Sequence, residues 1–244
     1  MMKLTPPWTQ MGKKIESACR KALFDFNLLE GVDSLAIALS GGKDSVCLLV
    51  MLKAILGRGF PSIPLTAIHV SGEFSCGASV QGGYLEKICS ELEVPLITCH
   101  SEQRLETLSC YPCSRERRKL IFDAAKKAGE KVIAFGHHED DSNETLMLNL
   151  LHKGEFAANL PKVPMHDYGV TIIRPFLYVP EKAIYEFAKL HGFLRFTCQC
   201  PVGQRSKRRA VKALLEEMKE HFPNVQTNLA QAALNYGSKK ALNK

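Results

Sequence analysis

Short runs of apolar residues alternate with longer amphipathic segments along most of the chain. The first run, 35–39, is uninterrupted and bounded by turn residues, which is typical of a β-strand covered on both faces. Four later segments are also rich in apolar residues, with single polar residues among them, and lie at 65–70, 95–99, 131–135 and 170–173. Each run is therefore predicted to be a strand.

Apolar residues in the segments before, between and after these runs recur at helical spacing. In the first such segment, 11–29, Ile15, Ala22 and Phe26 share one helical face, and turn residues follow at 30–33. The same periodicity predicts further helices at 44–56, 84–92, 114–128, 141–152 and 181–190.

This alternation predicts an α/β fold, in which a parallel sheet carries helices on both faces. We expect an N-terminal helical segment at 1–31, a sheet domain at 32–179 and a helical C-terminal region at 180–244. Ligands of such sheets bind beyond the carboxyl ends of the strands. Two clusters of glycine and polar residues are predicted there, after the first and fourth strands.

The first cluster follows the first strand and comprises Ser40, Gly41, Gly42, Lys43, Asp44 and Ser45. A glycine turn between a buried strand and a helix directs backbone N–H groups and the positive helix end at one point, which suits a pyrophosphate. The serine hydroxyls and Lys43 would add donors and charge, whereas Asp44 would act through Mg²⁺ or cap the helix. An ordinary strand-to-helix turn is the alternative. The spacing fits neither a Walker P-loop nor a dinucleotide fingerprint.

The second cluster follows the fourth strand and comprises Gly136, His137, His138, Glu139, Asp140 and Asp141. Carboxylates are common in the first turn of any helix, so capping is one interpretation. The concentration of acids and histidines beside the phosphate loop favours Mg²⁺ binding or contact with a substrate base.

Nine cysteines occur in a chain without a run apolar enough for a membrane span or a secretory signal. A cytoplasmic location is expected, where thiols stay reduced and clustered ones serve metals or catalysis. Cys110 and Cys113 form one pair, and Cys198 and Cys200 form another. Spacing alone leaves open structural zinc, an iron–sulfur cluster and a redox pair. Cys76 is unexplained, and core positions are expected for Cys19, Cys47, Cys89 and Cys99.

The formal net charge of +7 modestly favours a polyanionic partner. Several basic residues follow the second cysteine pair, namely Arg205, Lys207, Arg208 and Arg209. Their position favours contact with a nucleic-acid backbone over a merely solvated face.

Together these features resemble the PP-loop ATP pyrophosphatase superfamily and, within it, the TtcA family of tRNA 2-thiocytidine synthetases. The resemblance covers roughly residues 12 to 220. It rests on the phosphate loop, Cys-Xaa-Xaa-Cys-Ser-Arg from Cys110, Gly-His-His-Xaa-Asp-Asp from Gly136, Asp25-Phe26-Asn27 and Ile173-Arg174-Pro175. The family's C-terminal extension is not recognisable here, so tRNA contacts in it do not carry over.

The resemblance implies that residues 40–45 bind the pyrophosphate of ATP with Mg²⁺. It also implies a [4Fe–4S] cluster on Cys110, Cys113 and a third cysteine, with one iron open for exogenous sulfur. The family has Cys-Xaa-Xaa-Cys at the third ligand, whereas this chain has Cys198-Gln-Cys200. We expect Cys200 to be the ligand, because a proline follows it as in related thiouridine synthetases.

The implied reaction adenylates C2 of a cytidine in the anticodon loop, at position 32, and replaces its oxygen with sulfur. Catalytic roles are expected for Asp44, Arg117 and Asp140. Further nucleotide contacts are expected from His69, Gly136, His137 and Asp141. The expected partners are tRNA and a sulfur donor such as a cysteine desulfurase, with no membrane; a homodimer is compatible with the sequence.

Three other functions remain open. A tRNA 2-thiouridine synthetase would share the chemistry on another base, although the leading helix and the lack of N-terminal zinc-finger cysteine pairs favour the cytidine enzyme. A non-catalytic ATP-binding protein would carry a structural zinc or redox-sensing cluster. A PP-loop amidating ligase would keep full activity without the clustered cysteines.

Overall fold

A computed structural model describes residues 3–72, 82–103, 110–193 and 207–237. Its centre is a six-stranded sheet of order β3-β2-β1-β4-β6-β5, parallel except for β5, which is antiparallel to β6. The strands are β1 (Leu35–Ala38), β2 (Leu65–Ser71), β3 (Leu96–His100), β4 (Val132–Ala134), β5 (Lys162–Met165) and β6 (Val170–Ile173).

Eight α-helices are present in the described parts of the chain. They are α1 (Gln10–Asp25), α2 (Lys43–Ile55), α3 (Gly82–Glu91), α4 (Cys110–Lys127), α5 (Glu139–Lys153), α6 (Glu181–His191), α7 (Lys207–His221) and α8 (Val225–Tyr236). Alternate residues of the strands enter two apolar cores. One core contains side chains from α1, α2, α3 and α6, and the other is built with α4. The predicted α/β fold with helices on both faces is therefore confirmed.

The prediction differs from the structure at two elements. It missed β5, a sheet-edge strand in which exposed Lys162 and Pro164 alternate with half-buried residues. A proline is tolerated at such an edge but weakens the strand signal. The prediction that the first cysteine pair precedes its helix was also wrong: α4 begins at Cys110, because Pro112 lies in the first turn, where a missing N–H costs nothing.

The described C-terminal helices α7 and α8 pack on α5 and on each other. Their contact places them beside the helix that begins at the acidic cluster. The proposed division of the chain at residues 31 and 179 stays a prediction. Among the described helices, none combines the length and apolar character needed to cross a lipid bilayer.

Candidate nucleotide site

The loop after β1 is shaped by its own serines. Gly41 has a φ of 85°, a left-handed conformation that favours glycine. The Ser45 hydroxyl accepts from the Ser40 amide at 3.1 Å and donates to the Gly42 carbonyl at 3.0 Å, while the Ser40 hydroxyl accepts from the Gly42 amide at 3.3 Å. These bonds fix the turn before any ligand arrives.

In the described part of the chain, the N-terminus of α2 has no side-chain cap, in contrast to those of α1 and α5. Thr9 caps α1 and His138 caps α5 with side-chain acceptors. Within the described residues, no side chain caps α2, whose N-cap position is Gly42. The amides of a first helical turn lack intrahelical acceptors and carry the positive end of the helix dipole. The α2 terminus is therefore a candidate site for an anion.

The loop after β4 lies directly on the first turn of α2. A Cβ atom added to Gly136 would lie 3.1 Å from the carbonyl carbon and oxygen of Asp44 and from the Ser45 amide nitrogen. Only glycine allows so close an approach without moving backbone. The two clusters predicted from the sequence are thus brought into contact at one edge of the sheet.

Gly136→Ala tests this contact. Because the new methyl group meets backbone atoms rather than a flexible side chain, we expect it to destabilise the fold by about 1–3 kcal/mol and to weaken ATP binding. Gly83→Ala is the matched control, since an added Cβ there meets nothing within 4 Å. Thermal unfolding and ATP titration of both variants would check the result. Wild-type stability and affinity in Gly136→Ala would contradict the close approach.

His138 joins the acids of the second cluster to the phosphate loop. It forms a capping box with Asp141, and its Nε2 lies 3.4 Å from Asp141 Oδ2 and 3.8 Å from Asp44 Oδ1. Burial raises the pKa of Asp141, but the nearby His138, His137 and Arg208 outweigh it and hold that pKa below its usual value. Asp141 is therefore a carboxylate close to Asp44.

Asp140 is occupied by helix contacts. Its Oδ2 accepts from the Glu181 amide at 2.6 Å, at the start of α6. Its Oδ1 accepts at 2.7 Å from the side-chain amide of Gln226 in α8, in the amide orientation that also satisfies Lys219. This geometry suits an anchor between helices, and the catalytic role of Asp140 stays a prediction.

Two histidines occupy the carboxyl ends of strands. His69 of β2 is buried, and its Nδ1 lies 2.8 Å from the Leu39 carbonyl. Burial lowers its pKa, and the Coulomb field of Arg117 lowers it further. His137 stacks on Phe135, with ring centroids 5.7 Å apart. His69 and His137, both predicted to contact the nucleotide, thus lie at the edge of the sheet where β2 and β4 end.

Arg174 is a site residue that the sequence prediction used only as part of a motif. Its Nε donates to His137 Nδ1 at 3.4 Å, and it also donates to the Leu160 carbonyl. Burial, followed by the charge of Arg174, lowers the pKa of His137 to about 3, so this imidazole is neutral. The position of Arg174 directly after β6, at the carboxyl end of a strand, is the signal that could have identified it as a candidate.

The predicted cluster ligands are described only in part. Cys110 and Cys113 stand one turn apart on α4, and the Cys113 side chain is half-buried. Cys198, Cys200 and Cys76 lie outside the described residues. Within the described residues, no three His, Cys, Asp or Glu side chains are arranged to hold a metal ion. The predicted core cysteines Cys19, Cys47 and Cys89 are buried, and burial raises the pKa of each thiol.

Part of the predicted basic face contacts α5 while remaining exposed. Arg208 donates to Asp141 Oδ1 at 3.2 Å, and Lys207 lies 3.1 Å from His152 Nε2. Both contacts are with α5. Arg209 is exposed on α7, and Arg205 lies outside the described residues. At least one of these residues, Arg208, therefore also contacts the acidic cluster, and the predicted contact with nucleic acid stays a prediction.

The fold and site define a class of α/β protein with a serine- and glycine-lined turn between its first strand and the following helix. The PP-loop domain family matches residues 10–215 of the chain. A solved relative in fold is the U34-tRNA thiolase NcsA from Methanococcus maripaludis with its [4Fe-4S] cluster, at a TM-score of 0.76 and 21% identity, over 93% of this chain and 79% of that one. At this identity the likeness concerns the fold.

Closer sequence relatives are tRNA-cytidine(32) 2-sulfurtransferases. The protein of that name from Geobacter metallireducens is 33% identical over 91% of this chain and 90% of its own length. The one from Geobacter sulfurreducens is 34% identical over 90% of this chain and 88% of its own length. This chain belongs to the PP-loop domain family and, within it, to the family of the tRNA-cytidine(32) 2-sulfurtransferases.

Proposed function

We propose that this chain uses ATP to activate C2 of cytidine 32 in tRNA and replaces its oxygen with sulfur, giving 2-thiocytidine. Family membership supports this reaction, because the relatives are named for it. This chain aligns with about nine-tenths of the length of each of them. The uncapped α2 terminus facing the acidic cluster is the structural observation that carries the ATP half of the proposal.

In this proposal the phosphates of ATP lie on the loop at 40–45. The amides of the first turn of α2 would bind the β- and γ-phosphates, because they are the donors without intrahelical acceptors. Asp44 and Asp141 would hold Mg²⁺ together with phosphate oxygens and water. Mg²⁺ usually takes only one or two protein carboxylates in nucleotide sites, so these residues fit the ion without a larger ligand set.

The chemistry has two substitutions. The C2 carbonyl oxygen attacks the α-phosphate, a P–O bond forms, and pyrophosphate leaves with the charge that develops on it. Sulfur then attacks C2, and AMP departs with the original oxygen. The amides of α2 and the Mg²⁺ held by Asp44 would stabilise the leaving pyrophosphate. Burial and the charge of Arg117 lower the pKa of His69, which places Arg117 near the end of β2. Arg117 would stabilise the adenylated base or its phosphate.

The first turn of α4 suits thiolate ligation. Cys110 and Cys113 are three residues apart in the first turn of one helix. Thiolates are the ligands that iron–sulfur clusters take in proteins. We assign Cys200 as the third ligand on the family resemblance. A bound [4Fe–4S] cluster would supply an iron that receives the incoming sulfur.

The partners follow from the same proposal. The substrate is tRNA, whose target base must leave the anticodon loop to reach the strand ends, as single-stranded RNA permits. A sulfur donor such as a cysteine desulfurase would deliver sulfur to the site. The reaction would take place in the cytoplasm, and a homodimer remains compatible with it.

An anaerobic assay tests the proposed function. Iron-reconstituted protein is incubated with ATP, Mg²⁺, sulfide and unmodified tRNA, and the digested nucleosides are analysed by mass spectrometry. The expected product is cytidine with sulfur in place of oxygen, dependent on ATP. The same gain in uridine would keep the chemistry and overturn the substrate. No gain from protein that holds zinc instead of iron would favour a non-catalytic ATP-binding protein.

A further inference from the structure

One face of α7 is directed at the nucleotide site. Arg208, Val211, Lys212 and Leu215 follow helical spacing along this face. Val211 and Leu215 are buried, whereas the side chains of Arg208 and Lys212 are 43% and 45% exposed. The buried side chains of Val211 and Leu215 therefore pack the helix against the protein, and the two cationic side chains lie beside them.

Arg208 contacts the helix that begins at the acidic cluster. Its guanidinium donates to Asp141 Oδ1 at 3.2 Å and to the Thr145 hydroxyl at 2.9 Å. The Thr145 hydroxyl in turn donates to the Asp141 carbonyl at 2.7 Å. Arg208 thus holds both the side chain and, through Thr145, the backbone of Asp141.

Lys212 reaches the phosphate loop through one carboxylate. Its ammonium group donates to Glu181 Oε2, and Lys43 Nζ donates to Glu181 Oε1 at 3.0 Å. Lys43 Nζ also donates to Asp44 Oδ1 at 2.8 Å. Burial raises the pKa of Glu181, but the hydrogen bonds and charges of the two lysines outweigh it and lower that pKa to about 2. Glu181 is therefore a charged link between α7 and the loop.

The contacts form a ring around the site. It runs from Lys212 through Glu181, Lys43 and Asp44 to His138, and from there through Asp141 to Arg208. Lys212 and Arg208, the first and last residues of this series of contacts, are one helical turn apart on α7, and the helix closes the ring. The helix thereby joins the phosphate loop to the acidic cluster through ion pairs, in addition to their direct contact at Gly136.

Stability alone gives little reason for these cations. Half-exposed ion pairs contribute about 0–1 kcal/mol, and Val211 and Leu215 already hold the helix in place. A nucleotide gives a stronger reason. The site contains the carboxylates of Asp44, Asp141, Glu144 and Glu181, which would repel the phosphates of ATP if cations did not offset them.

We propose that Arg208 and Lys212 are positioning residues of the ATP site, which hold Asp141 and the Glu181–Lys43 pair in place for the Mg²⁺-bound triphosphate. This assignment rests on the ATP binding in the proposed function. The two residues act on ATP affinity rather than on the sulfur transfer. Loss of either cation leaves an acidic site with less positive charge and a less fixed carboxylate.

The test compares Arg208→Met and Lys212→Met with the wild type. Binding of the Mg²⁺ complex of the α,β-methylene analogue of ATP is measured by calorimetry in the absence of tRNA. Each variant should raise the Kd about fivefold, and the double variant should raise it at least about tenfold. Arg208→Lys retains the charge and should restore most of the affinity.

Lys189→Met is the matched control, because Lys189 is an exposed lysine in the last turn of α6, away from Glu181. It should bind the analogue like the wild type. In thiolation assays, the two α7 variants should raise the KM for ATP and leave kcat within about twofold. Variants that bind like Lys189→Met, or that lose kcat as much as affinity, would overturn the positioning role.

The binding measurement also separates this inference from the proposed function. Wild-type protein that binds the analogue but thiolates no nucleoside would refute the thiolation reaction. The comparison of Kd values would still decide whether α7 belongs to the ATP site.

Discussion

Asp44→Asn should lower the rate of tRNA adenylation by about a thousandfold and leave the fold intact. Asn keeps the size of the side chain and an oxygen that accepts from Lys43, as Asp44 Oδ1 does at 2.8 Å. It removes the negative charge that Asp44 would offer to Mg²⁺ at the uncapped end of α2. Release of pyrophosphate from ATP, measured with tRNA present, reports the adenylation step directly.

Asp167→Asn is the matched control for this variant. Asp167 is exposed in the short turn before β6, so it lies at the end of the sheet opposite the strand ends that form the site. It should release pyrophosphate at the wild-type rate. The Asp44→Asn protein should still bind its iron–sulfur cluster, because the cysteines are on α4 and in the segment after α6. Wild-type pyrophosphate release by Asp44→Asn would remove Asp44 from the mechanism.

The sequence allowed the prediction of the parallel part of the sheet because its signals are local. The buried strand β1 is a continuous apolar run, β2 is mostly apolar, and the loop at 40–45 closely follows β1. The edge strand β5 has no such run, since two of its four residues are exposed and one is proline. An edge strand pairs on one side only, so its sequence is less constrained.

The polar contacts of the site were harder to foresee. Lys43 and Glu181 are 138 residues apart, and Arg208 and Asp141 are 67 apart. No periodicity connects such positions, because their pairing depends on where α6 and α7 dock. The basic cluster before and within α7 was visible in the sequence, but its composition alone favoured nucleic acid. The contact of Arg208 with Asp141 and Thr145 became apparent only from the packing of α7 on α5.

The roles of the individual acids in the acidic cluster could not be predicted from the sequence either. The sequence indicated that its acids begin a helix, and the structure confirms this. It gave no means to distinguish them, because Asp140 and Asp141 are adjacent and chemically equivalent. Their difference comes from partners on distant helices: Glu181 and Gln226 for Asp140, and Arg208 for Asp141.

Cys113→Ala should abolish sulfur transfer while leaving ATP binding and pyrophosphate release measurable. Cys113 is a half-buried thiol in the first turn of α4, and the family resemblance assigns it as a cluster ligand. Loss of one of three thiolates should prevent stable assembly of the cluster, so the variant should lack the visible absorbance of the reconstituted protein. Thiolated cytidine should fall by at least about a thousandfold.

Cys99→Ala provides the matched control for this loss. Cys99 of β3 is also half-buried, but it packs against the apolar core built with α4, and its thiol lies 4.0 Å from the Leu120 carbonyl. Its replacement should leave both the cluster absorbance and the thiolated product close to wild type. If Cys113→Ala thiolated tRNA as well as Cys99→Ala does, the cluster mechanism would fail. A PP-loop enzyme that activates its substrate for another nucleophile would then account better for the site.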